Sequence, residues 1–173
     1  MPQLRFIAAA LAALTLLAVA GTASAQEPSG DPAFVSGGVG WFDVNDDEDT
    51  LDLRLEYRDH RRIFFLKPWA GIEATGEGGL WGGGGVLVDV FLGRRFVVTG
   101  SFGIGLYEEG DGKDLGSALE FRSQIEAGFR FDDRSRLAVA FSHISNAGIT
   151  DTNPGTEIVT LYYHLPLRNL FPE

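Results

Sequence analysis

The feature that most limits what this chain can fold into is a side-chain period of two, sustained over many segments. In "LDLRLEYR", Leu51, Leu53, Leu55 and Tyr57 alternate with Asp52, Arg54, Glu56 and Arg58. In "LEFRSQIEAGFRF", Leu119, Phe121, Ile125, Ala127, Phe129 and Phe131 alternate with Glu120, Arg122, Gln124, Glu126 and Arg130. Successive side chains of a strand point to opposite faces, so each segment is apolar on one side and charged on the other. Cutting at turn signals predicts eight strands, at about 33–44, 51–58, 64–75, 80–92, 96–107, 115–131, 136–147 and 156–167. Many of them reach the roughly 9–11 residues that a tilted strand needs to cross a bilayer.

The connections alternate as well. Acidic, glycine-rich or longer segments ("NDDEDT", "GEGG", "EEGDGKD", "GITDTNPG") follow the first, third, fifth and seventh strands. Short basic or turn-like segments ("DHRRI", "GRR", "DDRS") follow the second, fourth and sixth. Long loops at one end and tight turns at the other are the pattern of an outer-membrane barrel with both termini in the periplasm. The competing arrangement is a soluble eight-stranded barrel with an apolar lumen. Arginine and glutamate recur on the polar faces of several strands, and a small lumen can interlock such charges while lipid covers the apolar faces. Trp41, Phe42, Tyr57, Trp69, Trp81, Tyr107, Tyr162 and Tyr163 lie near predicted strand ends, where they would form two interfacial girdles. The expected fold is therefore all-β, an eight-stranded antiparallel transmembrane outer-membrane β-barrel.

The first 25 residues are expected to be a cleaved signal peptide. They carry one positive charge (Arg5), an apolar stretch from Phe6 to Ala20, and Ala23-Ser24-Ala25 before Gln26. The apolar stretch is shorter than the roughly 20 residues of a spanning helix. Residues 26–173 then form a single barrel domain. They hold 13 basic and 24 acidic residues, a net charge of −11, which excludes nucleic acid as a partner. There is no cysteine, so export imposes no disulfide requirement and no metal site can use thiolate. Asp43, Asn45 and Asp47 have calcium-loop spacing, but Glu48 stands where such a loop needs glycine and Arg54 where it needs glutamate. No metal or cofactor is expected.

Chemistry concentrates in "FSHISNAGITDTNPGTE", Phe141 to Glu157. His143 and Ser145 share a face with Leu137, Val139 and Phe141, and Glu157 is in phase with Val159, Leu161, Tyr163 and Leu165. All three polar residues are thus expected on the outer wall, near the loop joining the last two strands. Polar groups facing lipid are costly unless they pair with one another. Serine, histidine and glutamate can pair as nucleophile, base and orienter, although residues i and i+2 lie about 6.5–7 Å apart along a strand. The bland alternative places them in the headgroup layer without a role, and orientation alone leaves both readings open. "GGLWGGGG" and "GSFGIG" lack the lysine and following helix of a phosphate loop. His164 falls on the other face from Glu157 and His60 in the opposite turns, so neither can join the three.

His-x-Ser-Asn-Ala-Gly, an Asn-containing loop and Gly-x-Glu opening the last strand resemble the lipid A 3-O-deacylases of the PagL family. The resemblance is tight over His143–Glu157, and the leader, length, eight-strand pattern and closing "YYHLPL" agree with it. The tail "RNLFPE" departs from the terminal aromatic common among outer-membrane barrels. The resemblance implies Ser145 as nucleophile, His143 as general base and acid, and Glu157 as orienter of His143. It points to asparagine and backbone oxyanion donors, for which Asn146, Asn153 and Gly148 are the candidates. It implies lipid A, or lipopolysaccharide, of the outer leaflet as substrate and outer-membrane location, and is compatible with a homodimer. Two other classes remain: a non-catalytic structural or adhesion barrel, and an acyltransferase or phospholipase on the same scaffold.

Overall fold

The computed structural model describes residues 31–46 and 48–170. The expected signal peptide and its cleavage site lie outside them. Eight strands, β1 (Phe34–Phe42), β2 (Thr50–Arg58), β3 (Lys67–Thr75), β4 (Leu80–Leu92), β5 (Phe96–Glu108), β6 (Leu119–Arg130), β7 (Arg136–Ser145) and β8 (Thr156–Pro166), precede a helical turn α1 (Leu167–Leu170). Each strand pairs with its sequence neighbours, and β1 pairs antiparallel with β8, so the sheet closes into a barrel without a free edge. All eight predicted strands are present. The predicted sixth strand began four residues too early, because Leu115–Ala118 belong to the β5–β6 loop.

The barrel is inverted relative to a soluble one. Leu51, Leu53 and Leu55 are 45–52% exposed, whereas Arg54, Glu56 and Arg58 are buried. The inward residues neutralise one another in layers. In the middle, Arg54 contacts Asp52 (2.7 Å) and Glu73 (3.0 Å), Arg58 contacts Glu56 (2.9 Å) and Glu126 (3.0 Å), and Arg122 contacts Glu56 and Glu73. His164 bridges Ser36 (2.7 Å) and Glu126 (2.9 Å), which is where its opposite phase to Glu157 places it. Toward the short turns, Lys67 and Arg136 share Asp31 and Asp89. At the long-loop end, Asp43, first residue of the calcium-like spacing, is held by Lys113 (2.7 Å) and Thr156 (3.0 Å).

The aromatic expectation needs correction. Trp41, Tyr57 and Tyr163 are exposed on the outer wall, but Phe42, Trp69, Trp81, Tyr107 and Tyr162 are buried in the lumen. Position along a strand does not decide this, since parity does: Trp69 and Trp81 are in phase with inward Lys67 and Leu87. The glycine run follows from the same placement. Trp69 and Trp81 stack at 6.1 Å against the lumen wall. A β-carbon on Gly103 would lie 2.5 Å from Trp69, and one on Gly105 2.5 Å from Trp81. Arg122 caps both rings, 4.3 and 4.8 Å from their centres.

Candidate active site

β7 and β8 are antiparallel, and their register sets His143 directly opposite Glu157. Both point outward, and His143 Nδ1 lies 3.1 Å from Glu157 Oε1. Their side chains are 36% and 27% exposed, so each is partly covered by the wall. A carboxylate can only accept, so in the neutral imidazole this contact puts the N–H on Nδ1 and leaves Nε2 as the acceptor. Ser145 is on the same outward face at the end of β7, half-buried, one pleat beyond His143. Among the described residues no hydrogen bond joins its hydroxyl to the imidazole, as the i, i+2 separation along a strand leads one to expect.

The loop after Ser145 is tied together by Asn146. Ala147 (φ 56°) and Gly148 (φ 79°) are both left-handed, and the Ile149 amide donates to the Asn146 carbonyl at 3.1 Å, closing a tight turn. The Asn146 side chain is fully buried and donates to the carbonyls of Leu115 (3.0 Å) and Thr152 (2.9 Å) and to Thr150 Oγ1 (3.0 Å). Its Oδ1 accepts the Gly148 amide at 2.9 Å, and its own amide donates to Asn153 Oδ1 at 3.1 Å. The three candidate oxyanion residues thus lie in one hydrogen-bonded loop. The Asn146 carboxamide is fully used in bracing it. Asn153 is exposed, and its Oδ1 anchors it to the residue after Ser145 while its Nδ2 has donors to spare.

Three further features depend on register and backbone, the first being the glycine of the Gly-x-Glu motif. Gly155 is left-handed (φ 69°), and a β-carbon there would meet His143 Cε1 at 2.8 Å and Nε2 at 3.4 Å. Its lack of a side chain leaves room for the Cε1–Nε2 edge of the ring. Ser123 on β6 is exposed and lies opposite His143, on the side away from Glu157. Phe121 lies opposite Ser145 and stacks on Phe102 of β5 at 6.0 Å, giving the serine an apolar outer flank. Parity alone could have marked Phe121 as outward, but its place beside Ser145 depends on the β6–β7 register.

With His143 as the general base that the resemblance implies, replacing Gly155 with alanine is expected to lower kcat by about tenfold or more, because displacing such a ring by about 1 Å can cost as much as 10²-fold. Ester hydrolysis by the refolded variant measures it, with heat-modifiable electrophoretic mobility to confirm the barrel. Unaltered kcat would remove Gly155 from any role in placing His143.

The model of the lipid A 3-O-deacylase (PagL) family matches residues 57–166. The lipid A deacylase PagL of Bordetella bronchiseptica is 36% identical over 75 residues, 42% of this chain and 42% of that protein. The lipid A deacylase PagL of Pseudomonas aeruginosa is 38% identical over 55 residues, 32% of each. The matches thus span less than half the length of these curated relatives. The crystal structure of the outer membrane enzyme PagL superposes with a TM-score of 0.60 at 25% identity, covering 78% of this chain and 99% of that one. With more than half of its residues matched by that family model and its barrel shared with a solved PagL, this chain belongs to the lipid A 3-O-deacylase (PagL) family.

Proposed function

We propose that this protein is an outer-membrane serine esterase that removes the 3-O-linked hydroxyacyl chain of lipid A. The observation that carries the reading is the outward pair His143–Glu157, 3.1 Å apart and in phase with Ser145. Family membership supplies the substrate class. In this mechanism Ser145 Oγ attacks the ester carbonyl while His143 Nε2 takes its proton. Glu157 keeps the imidazole in the tautomer that leaves Nε2 free and stabilises the imidazolium. The alcohol oxygen of the sugar then leaves with the proton returned by His143, and water hydrolyses the acyl-serine by the same base. The hydroxyl must swing toward the ring, a movement expected when substrate seats, since such bonds are often long in the free enzyme.

Asn153 Nδ2 is assigned as the side-chain donor to the oxyanion; the Gly148 amide is engaged by Asn146 Oδ1, and the Asn146 carboxamide has a bracing role. Phe121 and Phe102 give the scissile acyl chain an apolar flank on the lipid side. A site on the outer wall at the long-loop end meets an ester at the top of the acyl region without pulling the lipid from its leaflet. No metal or cofactor takes part in any of these steps. Export by the Met1–Ala25 leader and a single mature domain, 26–173, belong to the same proposal.

Mass spectrometry of lipid A from cells expressing the protein tests it. Loss of one hydroxyacyl mass is the expected result. Unchanged lipid A with a folded barrel would favour a structural protein instead, and a gain of acyl mass would indicate a transferase.

A further inference from the structure

At the end opposite the proposed active site, the short turns gather cations. The β4–β5 turn contributes Arg94 and Arg95, the end of β6 Arg130, and the β6–β7 turn Arg134. Together with Phe131 and Asp132 they line a cavity of about 500 Å³. Four guanidinium groups thus face a single carboxylate. Asp132 is 89% exposed at its side chain and is engaged by Arg95 at 2.7 Å. Arg130 Nη1 is buried with no hydrogen-bond partner among the described residues. A phosphate oxygen is the acceptor that guanidinium geometry fits best.

The cavity is not isolated from the outer wall. A second groove of about 380 Å³, lined by Leu92, Phe96, Phe129, Leu137, Val139 and Leu161, runs up the outer face from the same turns. Leu92 and Phe96 bracket the arginine turn, and the Arg95 guanidinium sits 5.8 Å over the ring of Phe129. A basic pocket beside an apolar groove has the form of a phospholipid, headgroup and chain.

The end of the barrel decides which lipid. Phe34 pairs with Pro166, so both chain termini emerge beside these turns, the periplasmic side of an outer-membrane barrel. The leaflet there is phospholipid. A lining of four arginines and one carboxylate disfavours a headgroup that carries its own ammonium and favours one that is anionic.

From this arrangement we infer that the Arg94–Arg95–Arg130–Arg134 pocket binds the phosphodiester of an anionic phospholipid of the periplasmic leaflet, with one acyl chain in the Leu92–Phe96–Phe129 groove. This use is separate from lipid A hydrolysis at the other end of the barrel, and it does not depend on that reading.

The test uses full-length folded protein in detergent micelles, offered equal amounts of phosphatidylglycerol and phosphatidylethanolamine, with retained lipids counted by native mass spectrometry. The wild type is expected to keep one phosphatidylglycerol with at least tenfold preference. Arg94→Gln combined with Arg134→Gln is expected to bring that preference close to parity, with unchanged heat-modifiable electrophoretic mobility as the sign of an intact barrel. Equal retention of both lipids by the wild type would overturn the inference without recourse to any variant. So would undiminished preference in the double variant. Displacement of the lipid by millimolar inorganic phosphate would also overturn it, reassigning the pocket to a soluble anion.

Discussion

Changing Ser145 to alanine is expected to lower lipid A deacylation by about 10⁴–10⁶-fold, the loss typical of a serine hydrolase without its nucleophile. The barrel should fold as before, because Ser145 lies at the last position of β7, beyond the β7–β8 pairing that ends at Ile144 and Thr156. Released hydroxy fatty acid, measured with purified lipid A in micelles, gives the number. The decisive comparison is with Ser123→Ala. Register puts Ser123 opposite His143 on β6, and cross-strand neighbours have β-carbons about 4.5–5.5 Å apart, closer than the i, i+2 spacing to Ser145. Distance alone would make Ser123 the rival nucleophile. Ser145 is preferred because it adjoins the loop that Asn146 braces and that carries the Asn153 side chain, so an oxyanion formed there has a donor. Ser123 lies lower on the wall among Phe121 and Ile125. Unchanged hydrolysis in Ser123→Ala is therefore expected. If Ser123→Ala loses activity and Ser145→Ala keeps it, the nucleophile moves one strand over. Glu157→Ala should fall short of the Ser145→Ala loss, at roughly 10⁴-fold or less, since the imidazole persists without its orienter.

Much of the fold was legible because it depends on one parity rule applied eight times. Strict alternation in β2 and β6 identified the charged lumen and lipid-facing wall, and the same parity put His143, Ser145 and Glu157 outside. Where parity was not applied, the reading failed. Trp69 and Trp81 were assigned to a girdle from their nearness to strand ends, although their phase with Lys67 and Leu87 points them inward. The glycines hide a second fact: Gly103 and Gly105 of β5 are where the indoles of β3 and β4 lie against backbone, Trp69 reaching past β4 to do so. The site shows the same division. His143 and Glu157 meet because a hairpin is local, so loop length and phase suffice to bring them together. Ser123 and Phe121 reach the site only through the β6–β7 register, which depends on how the β6–β7 turn closes. The bracing role of Asn146 was hidden because its partner Leu115 lies 31 residues away, in a loop taken for strand.

Replacing Arg122 with methionine is expected to destabilise the folded barrel by about 3–5 kcal/mol, the usual cost of removing one partner from a buried ion-pair network. Arg122 is 1% exposed and contacts Glu56 and Glu73 while capping Trp69 and Trp81. Methionine can fill much of the space over the indoles, so lost packing is the smaller part of the effect. The larger part is electrostatic. Glu56 keeps Arg58 at 2.9 Å, and Glu73 keeps only Arg54 at 3.0 Å, a guanidinium already shared with Asp52. The middle layer then holds four carboxylates against two arginines, sealed from water by the sheet. A shift in the urea midpoint of reversible unfolding in micelles, with unchanged slope, measures the loss. Adding Glu73→Gln should recover part of it by removing the stranded charge, giving a double variant more stable than Arg122→Met alone. Midpoints that match the wild type in Arg122→Met would show that the network contributes nothing to stability. The consequence reaches the outer wall, because Phe121 beside Ser145 is the next residue along β6. A loosened Arg122 anchor should therefore reduce hydrolysis on warming well before the barrel unfolds as a whole, and the gap between those two temperatures reports how far the lumen supports the site.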